Sequence, residues 1–203
     1  MAGVKKYNRE DLLDRAIELF RIQGFNGTST AELVSELGVN RKSMYSEFGS
    51  KHDLFHSALE RYNEIHLSRV IAPIEKHDAD TNSIRVAFGG YASASSGWAR
   101  GKGCLMCNTS VERGALSDES GMYVDAYYER LNKAFRQALF NGQRSGQIDA
   151  TSDLDELAYF FTTALVGVAA TIRGEATPEQ VQAGCKIVTS VLDTHRPKQL
   201  YST

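Results

Sequence analysis

The sequence has few of the features that mark secreted, membrane-spanning or fibrous proteins. Its three cysteines, an odd number, do not make a disulfide framework and favour a reducing compartment. No proline occurs before Pro73, and no apolar run reaches the length of about 18 residues that crosses a bilayer. The first residues lack the apolar stretch of a signal peptide. We therefore expect a cytoplasmic protein without a membrane partner.

An excess of charge of one sign is also missing. The 203 residues include 23 Lys and Arg against 25 Asp and Glu, which gives a net charge of −2. This balance argues against a protein that coats nucleic acid by bulk electrostatic attraction, but it allows local basic patches. With 42% hydrophobic residues, the chain is long and apolar enough to bury a core without metals or disulfides. The composition indicates a globular protein.

Strand-like alternation is almost absent, whereas apolar residues recur at helical spacing along the whole chain. The pattern therefore predicts an all-α fold. Capping and breaking residues predict three helices, from Asn8 to Gly24, from Thr28-Ser29-Thr30 to Gly38, and from Asn40 to Phe48-Gly49. A fourth helix is predicted after the cap Ser50, from Lys51 to about Ile71, and Pro73 is expected to kink or end it. Later helices are predicted at Ser83 to Ser95, Cys104 to Leu116, Glu119 to Ser145, Leu154 to Arg173 and Pro178 to Thr194, with caps at Asp153 and Thr177.

The two short helices joined by Gly38-Val39 have the outline of a helix-turn-helix. Met44 and Phe48 can face inward and leave a polar face free on the second helix. Basic and hydroxyl side chains on that face suit base edges and phosphates, and the next helix N-terminus suits a phosphate. The alternative is an ordinary solvated face of a helical bundle. The candidate DNA contacts are Thr28, Thr30, Arg41, Lys42, Ser43, Tyr45, Ser46 and Lys51.

A series of correlated motifs runs through about fifty residues of this region. They are Ala16-Ile17-Glu18-Leu19-Phe20, Gly24-Phe25, Thr28-Ser29-Thr30, Leu33-Val34, Gly38-Val39, Ser43-Met44-Tyr45, Phe48 and Lys51-His52-Asp53-Leu54. Together these motifs resemble the TetR family of bacterial repressors. Lys42 stands where the family usually has a small residue, and Ser46 where it usually has an aromatic residue or His. Both departures concern the DNA sequence preference and leave the fold unaffected.

The resemblance implies a helix-turn-helix DNA-binding domain of three helices over residues 1–50 and a helical effector-binding and dimerisation domain over residues 51–203. It implies a homodimer on a double-stranded, near-palindromic operator, with recognition helices in major grooves roughly 34–36 Å apart or a multiple of that. It also implies that an unknown small-molecule effector in the C-terminal domain moves the fourth helix and releases the DNA. The protein would be a repressor and not an enzyme.

A second resemblance, to one broad group of the same family, lies at Gly103-Cys104-Leu105-Met106-Cys107-Asn108, followed by Glu112. Asn108 and Glu112 share a helix face, so they can either contact a ligand or brace neighbouring helices. Aromatic residues in the C-terminal part are numerous enough to line an apolar cavity. The candidate ligand contacts are His66, Phe88, Tyr91, Trp98, Cys104, Asn108, Tyr127 and Phe161.

Cys104 and Cys107 form a Cys-x-x-Cys motif, a spacing that elsewhere marks redox or zinc chemistry. A redox enzyme would have a strand before Cys104, and zinc would need two further ligands, so we expect no cofactor and no metal. His52 and His56 are interpreted as an ordinary surface pair. The cysteines are then either buried small hydrophobes or, with Cys104 at a helix N-terminus, a sensor of oxidants or electrophiles. A Cys-x-x-Cys redox enzyme and a helical adaptor that binds only protein are the alternatives from other classes.

The last two helices are predicted to form the dimer interface, as a bundle of two helices from each subunit. Apolar residues on more than one side of both helices favour this interpretation. The alternative is that the same stripes close the core of the subunit itself. The stripes consist of Phe161, Leu165, Ala169 and Ile172 on the first helix, and of Val181, Cys185, Val188 and Leu192 on the second.

Overall fold

The computed structural model describes residues 7–197, apart from the side chain of His66, and within that range the chain is helical without any strand. This confirms the predicted fold class. The helices are α1 (Arg9–Gly27), α2 (Thr30–Leu37), α3 (Arg41–Phe48), α4 (Lys51–Arg61), α5 (Ser68–Glu75), α6 (Thr81–Ser95), α7 (Leu105–Glu112), α8 (Asp118–Arg144), α9 (Leu154–Arg173) and α10 (Pro178–Thr194), with a π-helical segment at Tyr62–Leu67 and a 3-10 turn at Arg113–Ala115.

Side-chain caps begin most of these helices. The Asn8 side chain accepts a hydrogen bond from the Glu10 amide at 2.9 Å, and the Asn40 side chain accepts one from the Ser43 amide at 2.8 Å. Each cap satisfies a backbone donor that the first helical turn leaves unpaired. The predicted caps Asn8, Asn40, Ser50, Asp153 and Thr177 are all confirmed.

The predicted fourth helix differs in detail from the structure. Helical backbone continues from α4 through the π-helical segment into α5, and it ends at Glu75. Pro73 lies inside α5 and does not terminate it at once. A proline removes one backbone donor and crowds the preceding turn, and here the helix ends two residues later.

The described chain forms two compact units, each built from two separate stretches of sequence. The first contains the residues up to Leu67 together with Cys104–Val124, and the second contains Ser68–Gly103 together with the residues from Asp125 onward. The division between DNA-binding and effector domains after residue 50 concerns function and stays a prediction. Helices α4 and α7 both pack against α1, so they belong to the first compact unit.

Aromatic packing organises the core of the first unit. The Phe55 ring lies 4.9 Å from the ring centres of both Phe20 and Phe25. Leu33 on α2 and Met44 on α3 are also buried, so both short helices are anchored on α1 and α4 by their apolar faces. This packing leaves the opposite face of α3 free.

The second unit has its own aromatic core. The rings of Phe88, Phe135 and Phe161 lie about 6 Å from one another, at 6.1, 6.0 and 5.8 Å. The apolar stripes that were predicted to form the dimer interface pack into this core instead. The prediction of an interface is therefore wrong for most residues of the two stripes. Those buried within the unit are Phe161, Leu165, Ala169, Ile172, Val181, Cys185 and Leu192.

By length and composition, α9 could cross a membrane, since its mean hydropathy over an 18-residue window is 1.2. Within the second unit, however, its residues divide into a buried apolar face and an exposed face that includes Asp155, Glu156 and Thr163. This division is typical of a core helix of a globular unit.

Candidate nucleic-acid interface

The turn between α2 and α3 has the geometry of a helix-turn-helix. Gly38 adopts the left-handed conformation, with a φ of 65°, and its amide donates to the Ser35 carbonyl. A residue with a Cβ is disfavoured in this conformation, which explains the glycine. The buried side chains of Met44 and Phe48 fix the orientation of α3 on the unit.

The free face of α3 carries most of the predicted DNA contacts. Arg41, Lys42 and Ser46 are exposed, and Ser43 and Tyr45 are half-buried. These five side chains therefore line one helix that has a positive charge at its N-terminal end and hydroxyl groups along its length. Such a face can donate hydrogen bonds to base edges and to phosphate oxygens.

Tyr45 connects the recognition helix with the start of α2. Its hydroxyl lies 3.5 Å from the Thr30 hydroxyl, and the Arg41 guanidinium lies 5.5 Å from the centre of its ring. The hydrogen bond to Thr30 and, after it, the contact with Arg41 lower the pKa of Tyr45 below its ordinary value of 10.0. Thr30, Arg41 and Tyr45 thus form one preorganised group on the surface.

Two predicted phosphate contacts are already engaged within the protein. Thr28 is 1% exposed, and its hydroxyl donates to the Gly24 carbonyl at 2.6 Å. Lys51 is half-buried, with its ammonium 4.2 Å above the ring centre of Phe25. Burial is the main cause that lowers the pKa of Lys51, while the charges of Glu112 and Glu32 raise it. Thr28 therefore supports the turn before α2, and Lys51 packs on the Phe25 ring at the start of α4.

Helix α4 is tied to the rest of the first unit by polar contacts. Arg61 forms a bidentate ion pair with Asp14, with nitrogen–oxygen distances of 2.7 and 2.9 Å. The buried His56 ring, 8% exposed, places Nε2 2.9 Å from the Ser120 hydroxyl. The interpretation of His56 as a surface residue is therefore wrong, because the start of α8 covers it.

Helix α7 braces the end of α1, a role that sequence reasoning left open. The Asn108 amide donates to the Arg21 carbonyl at 3.1 Å. The Glu112 carboxylate accepts from the amides of Phe25 at 3.2 Å and Asn26 at 3.5 Å. These backbone amides follow Gly24, whose φ of 75° interrupts α1 where the sequence predicts its end. The bracing alternative for Asn108 and Glu112 is confirmed, and it orients the loop that leads into α2.

The predicted ligand contacts are divided between the two units. Trp98 is 48% exposed, whereas Cys104 is buried in the first unit, as is much of the Asn108 side chain. The His66 side chain lies outside the described residues. The others are buried in the core of the second unit, namely Phe88, Tyr91, Tyr127 and Phe161.

A cleft of about 590 Å³ opens between α8 and α9 in the second unit. Two of its polar atoms, Asn132 Nδ2 and Thr162 Oγ1, are buried and have no hydrogen-bond partner within the described chain. Thr162 is 6% exposed. None of the eight predicted ligand contacts lines this cleft. Its walls are two stripes of matching helical spacing, Asp125, Tyr128, Glu129 and Asn132 on α8, and Tyr159, Thr162, Thr163 and Val166 on α9.

A short helix pair with a tight left-handed turn and a free basic face defines the class of helix-turn-helix DNA-binding proteins. Residues 12–58 match the family model of bacterial regulatory proteins, tetR family, and residues 81–188 match that of the tetracyclin repressor-like C-terminal domain. The second match alone spans more than half of the chain. The chain therefore belongs to the tetR family and is a transcriptional regulator, not an enzyme.

Similar proteins share most of their length with this chain. The uncharacterized HTH-type transcriptional regulator YezE of Bacillus subtilis is 28% identical over 95% of this chain and 100% of its own. The HTH-type transcriptional repressor ComR of Escherichia coli is 29% identical over 87% and 85%. In fold, the chain resembles a cysteine mutant of the TetR family regulator CifR solved with double-strand operator DNA, with a TM-score of 0.78, 22% identity, and coverage of 92% and 98%. Ligand response and dimerisation are typical of the family.

Proposed function

We propose that the protein represses transcription by binding a near-palindromic operator as a homodimer, with α3 in the major groove of each half-site. The observation that carries this proposal is the free face of α3, on which Arg41, Lys42 and Ser46 are exposed. Arg41 and Lys42 suit guanine edges, and Ser43, Tyr45 and Ser46 suit phosphates or bases. Thr30 and the N-terminus of α4 at Lys51 add phosphate contacts, and Thr28 acts through the turn that it supports.

The dimer is proposed to form through the exposed faces of α9 and α10. Phe160 is 40% exposed and Ile187 is 70% exposed within a single chain. Gly167 and Gly184 are exposed on the same helices, and a Cβ at either position would meet only open space. Large apolar residues beside small ones allow two helix pairs to approach closely, which supports a four-helix interface on these faces.

The experiment that tests DNA recognition is selection of random duplexes by the purified protein, followed by fluorescence anisotropy of the enriched sequences across a range of salt concentrations. We expect a palindrome to be enriched and its affinity to fall steeply with salt, because bound phosphates release counterions. Failure to enrich any motif, with only feeble binding that salt does not change, would contradict the proposal and favour an adaptor that binds only protein.

Two substitutions separate base reading from phosphate binding. Arg41→Ala is expected to cost on the order of 1–3 kcal/mol on the selected operator, with little change on random DNA, if Arg41 contacts a guanine. Lys51→Ala should weaken both duplexes alike. Arg100→Ala, at an exposed position of the second unit, is the control. An equal loss on operator and random DNA for Arg41→Ala would contradict its role in reading sequence.

The effector is proposed to bind in the cleft between α8 and α9. The unpartnered Asn132 amide and Thr162 hydroxyl support this position, since buried polar groups are stable when a hydrogen bond satisfies them. The cleft volume of about 590 Å³ falls within the common range for small-molecule sites. Tyr128 and Val166 offer apolar contact beside those polar groups. We therefore infer a partly apolar small molecule that carries a hydrogen-bond acceptor for Asn132.

A thermal-shift screen of small carbonyl- and carboxylate-bearing aromatic compounds tests this site. A true effector should stabilise the wild-type protein, lose most of that effect in Asn132→Leu and Thr162→Val, and change operator affinity. Stabilisation that is equal in all three proteins would place the effector elsewhere. Because operator DNA lies in the bacterial cytoplasm, the proposed function also places the protein there.

A further inference from the structure

A cluster of polar and ionisable side chains is buried in the first unit and takes no part in the proposed DNA contacts. Arg21 is 1% exposed and Tyr62 is 2% exposed, and Cys104 and Cys107 are each 3% exposed. Arginine is rarely buried so completely unless it is paired. Here the Arg21 guanidinium lies 2.7 Å from the Glu18 carboxylate.

The two thiols lie together at the first turn of α7. Cys104 is the N-cap residue and Cys107 is the third residue of the helix, so their side chains meet at its N-terminal end. The sulfur of Cys104 is hydrogen-bonded to the Cys107 thiol and to the Tyr62 hydroxyl. A Cys-x-x-Cys pair at a helix N-terminus is the arrangement in which one thiol becomes a thiolate and the other can reach it.

The surroundings favour negative charge on the Cys104 sulfur. The hydrogen bond from Cys107, followed by that from Tyr62, lowers the pKa of Cys104 from 9.0 to about 6, although burial opposes the shift. Burial raises the pKa of Tyr62 well above 10.0, so its hydroxyl stays protonated and able to donate. The Arg21 guanidinium lies 5.8 Å from the centre of the Tyr62 ring and adds a buried positive charge to the cluster.

We propose that Cys104 and Cys107 form a dithiol switch that a small hydroperoxide oxidises to a disulfide, and that this disulfide weakens operator binding. The effect on DNA depends on the proposed function, whereas the thiol chemistry does not. The choice of a small oxidant follows from burial: Cys104 and Cys107 are each 3% exposed, which disfavours a bulky electrophile.

The oxidation consists of two balanced steps. The Cys104 thiolate attacks one peroxide oxygen, a sulfur–oxygen bond forms as the oxygen–oxygen bond breaks, and the leaving oxygen takes a proton to become water or an alcohol. Cys107 then attacks the sulfur of the sulfenic acid, which releases hydroxide, and the thiol proton of Cys107 converts it to water. Two electrons pass from the two thiols to one hydroperoxide.

The disulfide is expected to act on the DNA-binding helices through α7. The switch occupies the first turn of α7, and Asn108 and Glu112 in the next turns hold the end of α1 at Arg21, Phe25 and Asn26. A disulfide removes the hydrogen bond from Tyr62 to the Cys104 thiolate and fixes the two sulfur atoms at a bonding distance of about 2.05 Å. The brace that orients the loop before α2 would then change position.

The test treats the reduced full-length protein with hydrogen peroxide and follows intact mass, alkylation of each cysteine peptide, and anisotropy on the selected operator. We expect the peptide with Cys104 and Cys107 to lose two hydrogen atoms and operator affinity to fall about tenfold, within the usual range of coupling between sites. Dithiothreitol should reverse both changes. Cys185→Ser is the matched control, because this third buried thiol lies in the second unit.

Variants then assign each step. Cys107→Ser should stop at a sulfenic acid that dimedone traps on Cys104, and Cys104→Ser should keep full operator affinity under peroxide. Tyr62→Phe, which keeps the ring and removes the hydroxyl, should slow the oxidation of Cys104. Circular dichroism verifies that each variant folds. Absence of the disulfide, or a disulfide that leaves operator affinity unchanged, would overturn the inference. A reduced protein that binds no duplex would instead overturn the proposed function.

Discussion

Gly24 combines an unusual backbone conformation with a close approach to the Glu112 carboxylate, which braces the end of α1. Its φ of 75° and ψ of 174° belong to a region that only glycine occupies readily, and a Cβ there would overlap the Glu112 carboxylate. Gly24→Ala is therefore expected to lower the free energy of unfolding by about 1–3 kcal/mol from backbone strain alone. Urea unfolding measures this change.

Gly27, three residues further along, is the matched control for Gly24. It lies in the helical part of the same segment, and a Cβ there would meet only the Gln23 side chain at 3.7 Å. Gly27→Ala should stabilise the protein by about 0.4–1 kcal/mol, because it reduces the entropy of the unfolded chain without strain. If both alanine variants changed stability equally, the left-handed conformation of Gly24 would have no special role.

Thr162 offers a second prediction at the scale of one residue. Its buried hydroxyl has no partner within the described chain, and such a group costs about 1–3 kcal/mol when it is left unsatisfied. Thr162→Val keeps the shape of the side chain and removes the hydroxyl, so it should stabilise the ligand-free protein by about 1 kcal/mol. Thermal unfolding measures the gain.

The control for Thr162 is a buried threonine whose hydroxyl does have a partner. Thr189, in the same unit, is 8% exposed and donates to the Cys185 carbonyl at 3.0 Å. Thr189→Val should therefore bring no gain in stability, since it removes a satisfied hydrogen bond. A loss of stability in Thr162→Val would indicate that its hydroxyl is satisfied in solution, and the cleft would lose one of its two polar anchors.

At the scale of the element, the start of α3 is the feature on which the proposed DNA recognition depends. The Asn40 side chain accepts from the Ser43 amide and so orders the first turn, which carries Arg41 and Lys42. Asn40→Ala should cost about 1 kcal/mol of stability and weaken operator binding, because the first turn frays. Asn40→Ser keeps a capping oxygen without adding charge, and it should retain most of both properties.

Thermal unfolding and operator anisotropy check the Asn40 variants together. The prediction requires stability and affinity to fall in the alanine variant and to recover in the serine variant. Equal loss of affinity in both variants, with stability unchanged in the serine variant, would show that Asn40 itself contacts DNA and does not act through its cap.

The helices that could be predicted from sequence are those whose ends depend on local chemistry. Asn40 and Ser50 cap the helices that begin next to them, and Gly38 provides a left-handed turn. The brace from Glu112 to the Phe25 amide joins residues 87 apart, and no local signal indicates such a contact. The burial of Arg21 was missed for a similar reason: its ion-pair partner Glu18 is local, but the Tyr62 ring and the Asn108 amide come from helices distant in sequence.

The apolar stripes of α9 and α10 show a second limit of sequence reasoning. Leu165 and Ile172 recur at the spacing expected for an interface, but the same spacing serves a core, and the second unit buries both. Periodicity gives the direction of an apolar face without saying whether that face meets the same chain or another. The exposed Ile187 was a weaker signal in the sequence, because it falls outside the stripe of Val181, Cys185, Val188 and Leu192.

At the scale of the whole molecule, operator affinity should depend on joining two recognition helices in one dimer. A dimer converts the second half-site contact into an intramolecular event, which raises affinity well beyond that of one half-site. If the dimer forms through α9 and α10, a charge at its centre should separate the subunits without disturbing either of them. Ile187 is 70% exposed in the single chain, so Ile187→Asp leaves the subunit core intact.

Ile187→Asp should therefore give a folded monomer in sedimentation velocity and lower the affinity for a full palindrome by about 100-fold or more, while half-site binding stays weak and unchanged. Val86→Asp is the matched control, since Val86 is a 50% exposed apolar residue on α6, outside the proposed interface. The control should remain dimeric and bind the palindrome normally. If Ile187→Asp stays dimeric, the interface lies on a different face. If it is monomeric but keeps full operator affinity, dimerisation is not the source of the high affinity for the full palindrome.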